Sequence, residues 1–413
     1  MRASKAKPYI NVLDIGTSKI CCMIFKVAAG GAWEAVGVGC APAYGIKSGA
    51  IADMDKATEC VHAAIRQAEH AADRRVDSVV VNISSSQLKS THIYQETEVP
   101  DDKPISSLDV KRLADGAIAA HVSPEDELLH AFPLGYVVDG EQGSTDPRGL
   151  HAHALGVHIH LVSILESQVR NLVAVLDRCH VSIDMKVATP YASALAVLTE
   201  EEKELGATAV DMGAGTTSFA SFLAGGLVRL DLIPVGGSAI TRDIAQMLNT
   251  TLSEAERLKT VKGAAFLSPR DAFDSVSVLI ANDAEGATVQ IPRADLIAVI
   301  IPRQEEILEN ILYKMESDDK FAPAMGRIVL CGGGSELQGI KEKTMALMNK
   351  NARVGRAEKI KNLPNQFESY TFLTSVGLLK YALMRCQDGV APAAAAAGKG
   401  FWGKVMQWLI RNF

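Results

Sequence analysis

The stretch Asp211-Met212-Gly213-Ala214-Gly215-Thr216-Thr217 decides how this chain of 413 residues is interpreted. An apolar run precedes it at 208–210 and an alternating run follows it at 218–223, a pattern typical of two strands joined by a tight turn. Glycines let such a turn approach an anion closely, and its hydroxyl and backbone N–H groups can donate to phosphate oxygens. The stretch therefore predicts a phosphate site, at whose mouth Asp211 can hold a hydrated Mg²⁺.

A second stretch with the same pattern lies near the N-terminus, at Asp14-Ile15-Gly16-Thr17-Ser18-Lys19, again between two strand-like runs. Two copies far apart in one chain predict a duplicated hairpin, whose two halves bind one polyphosphate from opposite sides.

A third glycine turn, Gly332-Gly333-Gly334-Ser335, follows a strand and precedes a helix, without the spacing of a dinucleotide fingerprint. Alone it would be interpreted as a tight strand-to-helix turn, but beside two phosphate hairpins its flat surface suits an adenine ring. Glu256 and Lys259 lie one turn apart on a predicted helix that Ser253 would cap. They either bind ribose hydroxyls or form an exposed ion pair, and the sequence favours neither.

Composition limits the classes of protein to consider. A hydrophobic content of 48% and a charged content of 22% are ordinary for a globular protein, and the length suits two or more domains. A net charge of −6 argues against a nucleic-acid-binding surface. The seven cysteines contain no C-x-x-C pair, which predicts free thiols in a reducing compartment. Neither a secretory segment nor an apolar span of about 20 residues is recognisable, so the body is expected to be cytoplasmic.

The order of predicted elements, three strands followed by a helix and another strand, indicates an α/β layer. From about Ser84 the pattern changes, which predicts an inserted module of about 80 residues. Its last strand run carries four alternating histidines, His151, His153, His158 and His160. They could line a metal, but no cysteine or carboxylate joins them, so we expect the polar face of exposed strands.

The three glycine turns, in this order, resemble those of the actin/Hsp70/sugar-kinase superfamily of ATP-binding proteins. Other stretches resemble, within it, the FtsA family of bacterial cell-division proteins; they are 44–49, 136–140, 200–206, 234–237 and 374–379. The resemblance covers nearly the whole chain. It implies an α/β, actin-like fold of two lobes (a duplicated RNase H-like fold), with an inserted small α+β subdomain and a C-terminal amphipathic helix.

The resemblance also implies how the chain is divided. Lobe I would take 8–83, 164–200 and 368–386, with the inserted subdomain at 84–163. Lobe II would take 201–240 and 296–367, and its small subdomain 241–295. A linker at 387–399 would lead to a membrane-targeting helix at 400–413.

The implied function is that of an ATP- and Mg²⁺-binding protein that polymerises at the cytoplasmic face of the inner membrane, at the division septum. It would anchor FtsZ filaments there and recruit later division proteins through residues 84–163. The implied Mg²⁺ residues are Asp14 and Asp211, acting through water. The implied nucleotide-binding residues are Asp14, Gly16, Thr17, Ser18, Lys19, Asp211, Gly213, Gly215, Thr216, Thr217, Gly236, Gly237, Glu256, Lys259, Gly332, Gly333, Gly334 and Ser335.

The resemblance implies that the FtsZ tail binds at residues 241–295 and the helix that follows. Arg303, in an Ile-Pro-Arg segment of that helix, is either an acceptor for this acidic tail or an ordinary surface arginine. Residues 186–194 contain no carboxylate or amide where actin and Hsp70 relatives position the attacking water. We therefore expect firm nucleotide binding and, at most, slow ATP hydrolysis.

The last 14 residues form an amphipathic pattern that is aromatic, basic and too short to span a bilayer. This pattern predicts a helix that lies among lipid headgroups, the alternative being a helix docked on the protein itself or on a partner. One such helix would bind modestly, whereas a polymer that displays many would bind tightly. The predicted membrane-binding residues are Phe401, Trp402, Lys404, Val405, Met406, Trp408, Leu409, Ile410, Arg411 and Phe413.

Two other functions fit the same superfamily. A sugar kinase would need a carboxylate base and a sugar pocket, and the sequence identifies neither. A pilus-assembly adaptor related to FtsA would generally lack the membrane-seeking tail.

Overall fold

The computed structural model describes residues 9–27, 33–99, 103–281, 287–358, 360–363 and 370–387. The predicted amphipathic helix at 400–413 and all but the first residue of the predicted linker lie outside this part of the chain. The strands are β1 (Tyr9–Ile15), β2 (Lys19–Val27), β3 (Trp33–Pro42), β4 (Ile46–Lys47), β5 (Ala50–Ile51), β6 (Ser78–Ile83), β7 (Lys89–Glu98), β8 (Asp126–Val138), β9 (Glu141–Ser144), β10 (Ala154–Leu165), β11 (Ser182–Ala188), β12 (Ala207–Met212), β13 (Thr217–Leu223), β14 (Gly226–Ile233), β15 (Ser275–Leu279), β16 (Thr288–Pro292), β17 (Arg327–Cys331) and β18 (Asn351–Val354).

The α-helices cover the sheets and connect them. They are α1 (Met54–Ala72), α2 (Ser107–His121), α3 (Glu166–Arg178), α4 (Thr189–Val197), α5 (Glu200–Leu205), α6 (Gly237–Met247), α7 (Leu252–Lys262), α8 (Arg293–Glu316), α9 (Ile340–Met348) and α10 (Leu373–Gln387). Short 3-10 helices lie at Pro269–Ala272, Asp319–Met325, Gly333–Glu336 and Tyr370–Phe372. None of the helices in the described ranges is long and apolar enough to cross a membrane.

Two five-stranded sheets share one strand order and polarity. The first runs β3-β2-β1-β6-β11 and the second β14-β13-β12-β17-β18. In each sheet two antiparallel hairpins are followed by two parallel strands. The first hairpin of each sheet, β1–β2 or β12–β13, ends in one of the predicted phosphate turns. The sequence repeat therefore corresponds to a repeat of the fold.

Small residues bring the helices close to the first sheet. Asp53 caps α1, accepting from the backbone N–H of Lys56, and the apolar spacing of this helix buries the face predicted for it. The glycines of β3 lie directly against that face, because a Cβ on Gly37 or Gly39 would collide with the α1 backbone. The short helix α4 is buried along its whole length and contacts strands of both five-stranded sheets.

The inserted module is a four-stranded sheet, β7-β10-β8-β9, covered by α2. His160 is fully buried because this sheet packs against β14, and its ring stacks on that of His92, its neighbour on β7, with centroids 4.8 Å apart. The His160 Nδ1 donates to the carbonyl oxygen of Leu227 in β14 at 2.8 Å. The prediction of an exposed polar face is therefore wrong for His160, although His151 and His153 are exposed. Within the described ranges, no group of three or more His, Cys, Asp or Glu side chains could hold a metal ion.

Candidate functional site

Nearly all residues predicted to bind nucleotide meet at one cavity of about 340 Å³; the exceptions are Gly236 and Ser335. The two hairpin turns face each other across it. Thr17 of the first turn contacts Gly215 of the second so closely that a Cβ on Gly215 would collide with the Thr17 side chain. The structure thus brings the two distant sequence repeats together at a single concave site.

The two turns share one backbone geometry. The N–H of Gly16 donates to the carbonyl oxygen of Lys19 at 3.0 Å, and the N–H of Gly213 donates to that of Thr216 at 2.9 Å. At both positions a Cβ would press on the same carbonyl oxygen. Glycine at this position lets each turn close tightly.

The second turn is supported by the start of α6. The N–H groups of Gly237 and Ser238 donate to the carbonyl oxygens of Gly213 and Ala214, at 2.9 and 2.8 Å. Gly236 packs against both carbonyl groups, where a side chain would collide with them. Gly236 therefore shapes the turn without lining the cavity.

The third glycine turn packs on the second. Gly332 has a left-handed backbone (φ +77°), and a side chain there would collide with the Asp211 carboxylate. The hydroxyl of Ser335 is buried and donates to the carbonyl oxygen of Gly332 at 2.7 Å. Ser335 thus stabilises the turn, while the three glycines line the cavity.

Asp14 is buried and held by a neighbouring strand. The Asn82 side chain in β6 donates to the Asp14 carboxylate at 2.9 Å, and its oxygen accepts the N–H of Ile15 at 2.7 Å. Burial raises the pKa of Asp14 to about 7; Lys19 opposes this shift and the negative charge of Asp211 adds to it. Asn82 was missed from the sequence, although an amide inside the apolar run of β6 was a usable signal.

Asp211 has a different partner. Ser193, on α4, donates to its carboxylate at 2.6 Å. Burial raises the pKa of Asp211, and the Ser193 hydrogen bond opposes that shift. Burial also lowers the pKa of Lys19, whose ammonium lies 3.2 Å from the centre of the Phe372 ring. Ser193 was not predicted, because one serine in an apolar helix gives no sequence signal.

The ionisable side chains that line the cavity are mostly acidic. Two lysines, Lys19 and Lys259, stand against four carboxylates, which belong to Asp14, Asp211, Glu256 and Glu336. A polyanion would be repelled by such a set unless a cation accompanied it. The donor set therefore fits a phosphate ligand that arrives with a divalent metal ion.

Glu256 and Lys259 lie in the cavity wall and form an ion pair of 2.7 Å. The Lys259 ammonium also donates to the carbonyl oxygen of Gly237 and to the hydroxyl of Thr241, at 3.1 and 2.8 Å. The pair thus connects α7 to the start of α6. Thr251, and not the predicted Ser253, caps α7.

Arg303 lies elsewhere, in a groove of about 610 Å³ between α6 and α8. Its guanidinium donates to Asp243 at 2.7 Å and to Glu306 at 2.5 Å. Apolar side chains of the same groove include Met247, which is largely exposed. Arg303 is thus already paired with two carboxylates of its own chain.

Comparison with known proteins agrees with this architecture. The family model described as "Cell division protein FtsA" matches residues 208–377, and that described as "SHS2 domain inserted in FTSA" matches residues 85–163. Among solved structures, the PilM-PilN type IV pilus biogenesis complex has a TM-score of 0.63 at 17% identity, covering 93% of this chain and 99% of that one. MreB 5 of Spiroplasma citri bound to AMPPNP has a TM-score of 0.54 at 12% identity, covering 92% and 98%. The predicted actin-like fold with an inserted α+β subdomain is confirmed.

Relatives identified by their sequences have a higher sequence identity to this chain than these solved structures have. The Cell division protein FtsA of Rhizobium meliloti (strain 1021) is 34% identical over 426 residues, which cover 99% of this chain and 96% of that protein. The chain belongs to the FtsA family of cell division proteins.

Proposed function

We propose that this chain is an ATP-binding, actin-like cell-division protein that polymerises at the inner membrane, anchors FtsZ filaments there and recruits later division proteins through residues 84–163. The observation that supports ATP binding is the meeting of both hairpin turns and the Gly332–Gly334 turn at one cavity. Its volume lies within the range of small-molecule sites. MreB 5, which has the same fold, was solved bound to AMPPNP.

The residues present fit ATP with Mg²⁺. The hydroxyls and backbone N–H groups of Thr17, Ser18 and Thr216 would bind the phosphates, and Lys19 would supply a positive charge. Asp14 and Asp211 would hold Mg²⁺ through its waters. The metal would neutralise phosphate charge, and so offset the repulsion between the ligand and the carboxylates.

Hydrolysis would be slow at most. Thr189, at the start of α4, lines the cavity, but its hydroxyl donates to the carbonyl oxygen of Ile83 and accepts from Asn82. Ser193 donates to Asp211, and the Asn82 amide is already engaged by Asp14 and Ile15. These polar groups are therefore engaged with each other rather than available to orient an attacking water.

The groove beside Arg303 is the proposed site for the FtsZ tail. Its apolar side chains would take the apolar part of the tail, and Arg303 would exchange Asp243 for an acidic residue of the partner. An Arg303→Glu variant should then lose FtsZ-tail binding. Arg242→Glu, an exposed change on α6, should retain it. If the two variants bound the FtsZ tail equally well, Arg303 would not be part of the proposed binding site.

The proposed membrane contact is the amphipathic helix at 400–413, at the cytoplasmic face of the inner membrane. The decisive experiment is pelleting with anionic liposomes, with and without Mg²⁺-ATP, of the intact chain and of a chain that ends after Cys386. We expect ATP to increase pelleting of the intact chain only, because filaments present many tails at once. Equal pelleting of both chains would exclude the tail as anchor, and failure of the intact chain to bind ATP would refute the nucleotide site.

A further inference from the structure

We propose that Gln304, on α8, reads the base of the nucleotide and gives the cavity its preference for adenine. This inference rests on the nucleotide site proposed above, and assigns the part of the ligand that the phosphate turns do not contact. Gln304 lies in the cavity wall and is only 2% exposed.

The side-chain amide nitrogen of Gln304 is buried and has no hydrogen-bond partner. Of the described buried polar side chains that lack a partner, only Gln304 lines the cavity. An unsatisfied buried amide destabilises a fold, because the hydrogen bonds that it loses to water are not replaced. Such a group at a ligand site is accounted for if the ligand supplies the missing partner.

The cavity that Gln304 lines also has apolar lining residues, which suit an aromatic base better than a phosphate. Ile240 of α6, Ile307 of α8 and Leu337 line the same cavity and are apolar, whereas the hairpin turns carry hydroxyls and charges. Gly333 and Gly334 add the flat surface predicted for adenine. A planar, largely apolar ring with a few polar edge atoms matches an apolar wall that carries one carboxamide.

The chemistry of a carboxamide favours adenine over guanine. A carboxamide has one acceptor and two donors, and it pairs with the N6 amine and N7 of adenine, one a donor and the other an acceptor. Guanine presents two acceptors, O6 and N7, at the same edge, so a carboxamide would leave one of these contacts unmade. Loss of such a contact from a buried site reduces affinity because the protein group is left unpaired.

The test compares ATP with purine riboside triphosphate, which lacks the 6-amino group, and with GTP, by equilibrium binding to the full-length chain in the presence of Mg²⁺. The wild-type chain should bind ATP about three- to tenfold more tightly than purine riboside triphosphate. Gln304→Leu loses the contacts to both N6 and N7, so it should bind ATP and purine riboside triphosphate with equal affinity, below that of the wild type for purine riboside triphosphate, and should lose most of the preference for ATP over GTP. Asn310→Leu makes the same change on the exposed side of α8 and should keep the wild-type preferences.

Two outcomes distinguish a failure of this inference from a failure of the proposed function. If the wild-type chain binds none of the triphosphates, the nucleotide site itself is refuted. If it binds ATP but does not distinguish it from purine riboside triphosphate, or if Gln304→Leu keeps the full preference, the assignment of Gln304 is overturned while the nucleotide site stands. The wild-type measurement requires no variant, so it can overturn the assignment of Gln304 even if Gln304→Leu fails to fold.

Discussion

The turns at Asp14–Lys19 and Asp211–Thr217 have the same backbone geometry but different side-chain supports. In both, the first glycine closes the turn by donating to the carbonyl oxygen three residues later. Asp14 is held by Asn82 from its own sheet and lies near Lys19, whereas Asp211 accepts from Ser193 of α4. The repeated sheets therefore present two similar turns, of which only the first carries a lysine.

This difference shows which features a duplicated fold has to keep. The strand order and the glycine that closes each turn are needed twice, because each sheet has to bring a hairpin to the cavity. An aspartate and hydroxyl groups are also present in both turns, whereas the lysine is not needed twice, since both turns face one ligand site. Ser18 of the first turn and Gly215 of the second occupy equivalent places, and the glycine leaves room for the Thr17 side chain.

The largest effect is expected from removing the charge that only the first turn has. Lys19→Met should weaken ATP binding about a hundredfold, because a charge-assisted hydrogen bond to phosphate contributes roughly 1.5–3 kcal/mol. Lys26→Met, an exposed change near the other end of β2, serves as the control in an equilibrium binding assay. A loss no greater than that of the control would mean that the positive charge of Lys19 makes no measurable contribution to ATP binding.

Two buried histidines of the inserted module contact the two five-stranded sheets, one histidine for each sheet. His130 accepts the N–H of Ala188 at 3.0 Å, and His160 donates to the carbonyl oxygen of Leu227 at 2.8 Å. Burial lowers the pKa of both side chains to about 3; Arg385 contributes at His130 and His92 at His160. Both histidines are therefore neutral in the folded protein at neutral pH.

A folded-state pKa below the unfolded value of about 6.5 means that the unfolded chain binds the proton first. The contribution of these histidines to the free energy of unfolding should be fully present above pH 6.5. It should fall as the pH drops, by about 2 kcal/mol per histidine at pH 5. Urea unfolding at pH 7 and pH 5 measures this loss. The variants His160→Gln and His130→Gln should each remove about half of the loss of stability that the two histidines together cause between pH 7 and pH 5. A variant with an unchanged loss would show that its histidine is not held neutral by the fold.

Much of the fold follows from the sequence because it depends on local patterns. The glycine turns between strand-like runs predicted both phosphate hairpins, and apolar spacing predicted the buried face of α1. Asn82, Ser193 and Gln304 were not predicted because their roles depend on contacts between distant elements. His160 was misjudged for the same reason, since alternation along β10 does not show that the sheet packs against β14.

Exchanging the equivalent residues Ser18 and Gly215 tests how closely the two turns have to approach each other. Gly215→Ser places the residue of the first turn in the second, where its Cβ collides with Thr17. Because Thr17 has to move, ATP binding should weaken about tenfold, a cost of about 1.4 kcal/mol. The reciprocal change Ser18→Gly introduces no collision and should have a smaller effect in the same binding assay. If Ser18→Gly were the more harmful, the Ser18 hydroxyl would matter more than the space at Gly215.

The smallest effect is expected at the support of the second turn. Ser193→Ala removes the donor to Asp211 and should weaken Mg²⁺-ATP binding about fivefold, since one hydrogen bond contributes about 1 kcal/mol. The control is Ser375→Ala, because Ser375 is fully buried and its hydroxyl has no partner in the described structure. Removing that hydroxyl should leave affinity unchanged, as measured by titrating Mg²⁺ at fixed ATP. Should both alanine variants bind Mg²⁺-ATP like the wild type, Asp211 would need no partner from α4, and the second turn would be held by its own backbone, by α6 and by the third glycine turn.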